Sequence, residues 1–183
     1  MKQIFHGLLV VGLLTLAPAV YSQSILPSTI EYSERVPDTE AEAEVLYRRT
    51  LDWSENHFSY APKATIKTDA ARGEIRVSGT VKVKTASASG QLQERPVRFE
   101  FSFRTLSSGY EYNVGFFRVV PDDKKPDETV PFEEFVSQLA QERTNDRTHN
   151  DRRVTAQASS LASEIAMAYR SYMNSRPAAG AIE

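Results

Sequence analysis

Ile75, Val77, Gly79, Val81 and Val83 alternate with Arg76, Ser78, Thr80, Lys82 and Lys84, and farther along Val97, Phe99, Phe101 and Phe103 alternate with Arg98, Glu100, Ser102 and Arg104. A period of two sends each parity to one face of a strand, so both segments read as half-buried strands with one apolar and one polar face. That pattern belongs to an antiparallel sheet covered on one side only. Ala70-Ala71-Arg72-Gly73 reads as a hairpin turn joining a short strand, Ala64 to Asp69, to the first of these strands. Ser107-Ser108-Gly109 turns the second into Tyr110 to Val120, which is also alternating. Thr85 to Pro96 carries no periodic signal and is predicted as a flexible connection. Ile30 to Val36 is a further strand, stopped by Pro37.

The cover for such a sheet has to come from amphipathic helices. Thr39 and Glu42 have the spacing of a capping box, with Asp38 as an alternative cap, and open a helix predicted to reach about Phe58. Ala43, Leu46, Thr50 and Trp53 recur at three and four residues, with Tyr47, Leu51 and Phe58 alongside, so this helix turns one wide stripe to a core. Trp53 is read as a core anchor rather than a ligand platform. After the proline-rich loop 121–131, Phe132, Phe135, Val136 and Leu139 mark a short helix. The polar run from Glu142 to Arg153 lacks a stripe, and Val154, Ala158, Leu161, Ile165, Ala168, Tyr169 and Tyr172 mark a last helix, expected to pack against its own domain. The expected class is α+β: an antiparallel sheet of about five strands with amphipathic helices on one face and C-terminal helices. The segments are 30–120 for the α+β domain, 121–174 for the helical segment and 175–183 for a frayed tail.

The N-terminus carries a different message. An apolar run, Leu8 to Leu16, lies between Met1-Lys2 and the small-residue stretch Ala17 to Ser22, the layout of a secretory signal peptide over 1–22 cleaved between Ser22 and Gln23. The run is too short for an ordinary membrane span of roughly 20 apolar residues, so the expected product is exported, periplasmic or extracellular, without a transmembrane segment. The chain contains no cysteine, which leaves stability to packing and excludes thiol catalysis and thiolate metal sites. A net charge of −2, with both signs spread along the chain, gives no pull toward nucleic acid.

The order strand, helix with Leu51-Asp52-Trp53, hairpin and aromatic strands resembles a known family. Tyr47, Trp53 and Phe58 in the helix, Gly73 to Gly79 around the hairpin and Phe99 to Tyr112 across the last turn are similar to the exported bacterial domain-of-unknown-function family with a TBP-like fold. The likeness runs over about 30–120. Leu106-Ser107-Ser108-Gly109 is neutral where that family usually carries more charge. The resemblance implies a TBP-like fold and an envelope location, and no catalytic residues to carry over.

No reaction is legible. His57 reads as a helix-terminal histidine facing the last carbonyls, with no partner nearby in sequence. Asp146, His149 and Asp151 form the one local group with cation-ligand chemistry, but they lack the loop and spacing of a calcium hand or the paired histidines of zinc hydrolases, so they read as a solvated turn. Ser78, Ser87, Ser102 and Ser160 sit outside any nucleophile elbow, and Asp122-Asp123 and Glu133-Glu134 are adjacent carboxylates rather than a pair across a cleft. Neither a cofactor nor a metal is expected.

The remaining candidate is the polar sheet face, which collects Lys67, Arg76, Lys82, Lys84, Arg98 and Arg104 against Glu100 and Glu111. Such a face suits a protein partner or an anionic envelope ligand. The function expected from sequence is a non-enzymatic exported binding module. The alternatives are a hydrolase of envelope polymers, using distant carboxylates such as Glu100 and Glu111, or a carrier of a hydrophobic ligand in an apolar cavity.

Overall fold

The computed structural model describes residues 29–60, 65–87, 89–122, 124–142 and 149–175. The signal-peptide segment, Ala64, Asp123, Asp146 and the tail after Ser175 lie outside the described residues. Strand β1 (Tyr32–Pro37) is followed by α1 (Ala43–Asp52), which continues into a π-helical turn, Trp53–His57. Then come β2 (Thr65–Asp69), β3 (Glu74–Ala86), β4 (Leu92–Leu106) and β5 (Gly109–Val119), a two-residue strand β6 (Val130–Pro131), and helices α2 (Phe132–Gln141) and α3 (Asn150–Ser175). The antiparallel sheet runs β1-β5-β4-β3-β2, with β6 on β5. β2 to β5 form the expected meander, and β1 closes on its far side.

The alternation places Ile75, Val77, Val83, Val97, Phe99, Phe101 and Phe103 in one core with Leu46 and Trp53; Val81 packs against it partly buried. Gly73 closes the β2–β3 turn at φ 64, a conformation glycine takes without steric cost. Trp53 is the hub of the cover, 4.8 Å from the Phe101 ring and 5.0 Å from the Tyr169 ring. Tyr169 comes from α3, so the last helix completes the same core. Its hydroxyl shares a 2.7 Å hydrogen bond with Thr50 Oγ1, which donates to the Leu46 carbonyl, satisfying two buried polar groups.

Several sequence expectations need correction. The Thr39–Glu42 capping box does not form; Asp38 Oδ1 instead accepts from the Glu40 and Ala41 amides, just ahead of the helix. The α-helix stops at Asp52, and the chain widens into the π-turn, with Phe58 N donating to Trp53 O. The inward stripe of α3 runs through Ala158, Ala162, Ala166 and Met173 besides Val154, Ile165 and Tyr169, whereas Ala168 is exposed and Leu161 and Tyr172 are half-buried. Alanines on that stripe let the helix approach a sheet whose inner face is already bulky with rings. Helix α3 runs through Ser175, the first residue of the expected tail, and the rest of that tail lies outside the described residues.

The largest correction is 85–96. It is no flexible connection: β3 and β4 pair continuously out to Ala86↔Leu92, leaving only Ser87 to Gln91 as the turn. Leu92, Gln93 and Glu94 are exposed, so no buried face imposes alternation there and the periodic signal vanishes although the ladder persists. The outer edge of this arm is closed by α3. Asn150 accepts from Ala86 N and donates to Ala86 O, both at 2.8 Å, and Gln157 does the same for Lys84, both at 2.9 Å. Two side-chain amides thus stand in for a neighbouring strand.

Trp53→Ala should cost about 3–5 kcal/mol, measured by urea unfolding, because it empties the centre of the cover. A second expectation concerns alkaline pH. Burial raises the phenols of Tyr110 and Tyr169, burial and the Glu34 carboxylate raise that of Tyr112, and burial and Glu164 push Tyr60 up to about 12. The unfolded chain ionises its phenols near pH ~10, so stability is intact below that value and falls as pH climbs through the raised folded-state values. The urea midpoint should drop between about pH 9 and about pH 11, with phenolate absorbance for these tyrosines appearing only on unfolding.

Candidate functional site

With the helices on the inner face, the outward parity of every strand makes one open surface. Directly opposed residues share a face, so the register maps this surface in rows. The central row runs Ser33, Asn113, Ser102, Arg76, Lys67 across all five strands of the main path. On one side lies the row Arg35, Glu111, Arg104, Glu74, Asp69. On the other lies Gly115, Glu100, Ser78, Thr65. Short side chains in the middle and long charged ones beside them produce a trough of about 390 Å³ over Ser33, Ser102 and Asn113.

The trough's far wall is made by an irregularity in β5. Glu100 pairs with Gly115 but Arg98 pairs with Arg118, so Phe99 faces two residues, Phe116 and Phe117: a β-bulge. It switches the inward parity of β5 from Tyr110, Tyr112 and Val114 to Phe117 and Val119. Phe117 goes inside and stacks on Phe99 at 5.8 Å, while Phe116, at φ 53, is left 70% exposed at the trough. Gly115 has no positive φ; what it supplies is space, since a Cβ there would lie 3.0 Å from Asn113 Oδ1 and 3.5 Å from Glu31 Cγ. Asn113 Nδ2 donates to the Glu31 carboxylate, and its Oδ1 is buried without a hydrogen-bond partner among the described residues. The simple alternation expected for 110–120 missed this bulge; the adjacent aromatics Phe116-Phe117 are the signal that breaks it.

The six basic residues read from sequence do lie on outward positions, but they do not merge into one positive patch. Arg76 is 3.8 Å from Glu100, Lys82 Nζ donates to Glu94 at 2.8 Å, Arg98 is 3.7 Å from Asp127, and Arg104 Nε donates to Glu111 at 3.0 Å. Lys82 holds the Glu94 carboxyl below its usual range. Lys84 stands opposite Glu94, and Lys67 opposite Arg76. The face is of mixed sign, with no continuous positive track for a phosphate backbone to follow. Glu100 and Glu111, on which the hydrolase alternative relies, each lie against an arginine on the open face of the sheet. The carrier alternative requires an apolar cavity, and the layer between sheet and helices is occupied by the rings of Trp53, Phe58, Phe99, Phe101 and Tyr169.

His57 is corrected by the π-turn. In an α-helix, residues five apart point ~140° away from each other. The wider turn brings His57 Nε2 to 3.9 Å from Asp52, which also accepts from Asn56 and from the Tyr172 hydroxyl, so the histidine's partners are side chains rather than the last carbonyls. The cluster ties α1 to α3. His149 is exposed ahead of α3, and among the described residues no group of three His, Asp or Glu is placed to hold a metal. Among the described residues no helix is long and apolar enough to cross a membrane. A second groove, about 610 Å³, lies between α1 and the β2–β3 turn, lined by Tyr47, Leu51, Ala70 and Ala71.

Residues 32–119, β1 through β5, match the family described as a domain of unknown function (DUF4468) with TBP-like fold. The resemblance read from the sequence is to this family. The DUF4468 segment covers the whole sheet except β6, together with α1 and the trough. Solved structures agree on the fold. A TBP-like protein from Parabacteroides distasonis superposes with a TM-score of 0.58 at 11% identity, covering 81% of this chain and 95% of that one. A DUF4468 family protein from Bacteroides ovatus gives 0.51 at 15% identity, covering 82% and 89%. Both likenesses extend past the DUF4468 segment, and at these identities they speak for the fold alone. No curated protein matches.

Phe116→Gly should stabilise the protein by about 1 kcal/mol in urea unfolding, because the left-handed conformation penalises any side chain and this exposed ring contributes little burial in return. A loss of stability instead would show that the ring is a packing element of the sheet.

Proposed function

We propose that this protein is an exported, non-enzymatic binding module of the cell envelope that engages its ligand or partner on the open face of its sheet. Export rests on the apolar run Leu8 to Leu16 followed by Ala17 to Ser22. Binding rests on one observation above the others: the sheet presents a trough with a short polar floor and an exposed phenylalanine beside it, held on a bulge that costs backbone strain. Strain of that kind is retained where the displayed side chain has work to perform. A rigid sheet holds such a surface at little entropic cost on binding.

Two measurements test the reading. N-terminal sequencing of protein from fractionated cells should find a chain beginning at Gln23 outside the cytoplasm; a chain retaining Met1 in the cytoplasm would refute export. Full-length mature protein and its Ser102→Arg variant, which fills the trough floor, should have the same circular dichroism and melting curve. The wild type should retain a component of solubilised envelope that the variant releases, and equal retention by both would move the binding surface elsewhere.

A further inference from the structure

The chemistry of the trough narrows what it accepts. Its walls carry Glu31, Glu74 and Glu111 as acceptors and Arg76 and Arg104 as donors, interleaved by the strand register. An anion placed there meets three carboxylates, and a cation meets two guanidinium groups, so neither is matched. A ligand satisfies both kinds of wall when each of its polar groups donates and accepts, which is the property of a hydroxyl. The floor repeats this demand: Ser33 and Ser102 are hydroxyls themselves, able both to donate and to accept. Beside the floor stands the Phe116 ring, an apolar surface suited to the C–H face of a ring rather than to a flexible chain. Gly115 lets the Asn113 amide pack close to the backbone, since a Cβ there would lie 3.0 Å from its Oδ1.

We propose that this trough binds a neutral sugar ring of a glycan, with one face of the pyranose stacked on Phe116 and its hydroxyls hydrogen-bonding Ser33, Ser102 and the charged walls. The assignment rests on the open-face binding reading and deepens it. A volume of about 390 Å³ suits one or two hexose units rather than a long chain. The glycan then lies across the strands, along the row Ser33, Asn113, Ser102.

The test is a nuclear magnetic resonance titration of isotope-labelled, full-length mature protein with two neutral probes, cellotetraose and tri-N-acetylchitotriose, and with an uncharged polar tetrapeptide as the competing class. One of the sugars should shift the amides of Ser102, Asn113, Gly115 and Phe116 in a saturable way. Phe116→Ala should weaken that binding about tenfold or more, Gly115→Ala should weaken it by crowding Asn113, and Phe116→Tyr should keep it. Sugar binding that is indifferent to Phe116→Ala, or the absence of shifts with either sugar, overturns the proposal. If the tetrapeptide saturates the trough and the sugars do not, the sugar assignment fails while the open-face reading stands. If shifts gather instead around Tyr47 and Leu51, both fail.

Discussion

Tyr169 is the side chain on which the two layers close. Its ring lies 4.8 Å from Tyr112, 4.9 Å from Phe101 and 5.0 Å from Trp53, so one residue of α3 touches β5, β4 and the π-turn at the end of α1 together. Burying a tyrosine this deeply leaves a hydroxyl that must find a partner, and Thr50, one turn before the π-turn, provides it. Thr50 is in turn held by the Leu46 carbonyl. The position of α1 over the sheet and that of α3 beside it are therefore a single arrangement, and the mid-helix threonine, a modest helix former, is explained by the phenol it serves.

Because the rings close the inner face, whatever the sheet does must be done on the other side. There the strand order alone decides which side chains are neighbours. Ser33 and Ser102 flank Asn113 because β1 and β4 both pair with β5, so a surface of three short polar residues is assembled from positions far apart in the chain. The fold shared with TBP-like proteins supplies the sheet, and a fold by itself carries no function. What distinguishes this surface is local: the bulge at Phe116, the missing Cβ of Gly115 and the mixed charge of the walls.

Much of the architecture was legible because burial writes a period into the sequence. Ile75 to Val83 and Val97 to Phe103 announced their strands, and Trp53 its place in the core. Where burial is sparse, the signal stops: in the arm beyond Val83, Leu92, Gln93 and Glu94 are exposed and only Thr85 is buried, so the ladder read as a loop. Parity found the outward bases and two of the carboxylates that answer them, Glu100 and Glu111, but not Asp127, which reaches Arg98 from a loop, or Glu94, which reaches Lys82 from within the stretch read as a connection. The bulge and the π-turn each insert one extra residue into a regular element, and each defeated a reading by period. The first displaced Phe116 to the surface, and the second faced His57 toward Asp52.

The pairing of Asn150 and Gln157 with the β3 backbone also sets an order of events. Their partners Ala86 and Lys84 precede them by 64 and 73 residues, so a chain emerging from its N-terminus has a bare strand edge until α3 arrives. During that interval the edge is free to recruit a strand from another molecule. The family-matched segment 32–119 inherits the same exposure when it is cut out alone, for it contains the edge but neither amide that clasps it, nor the tyrosine that fills its core. The last helix thus covers an edge that the matched segment leaves bare, and the core of the fold reaches into α3, well beyond the limit of that segment.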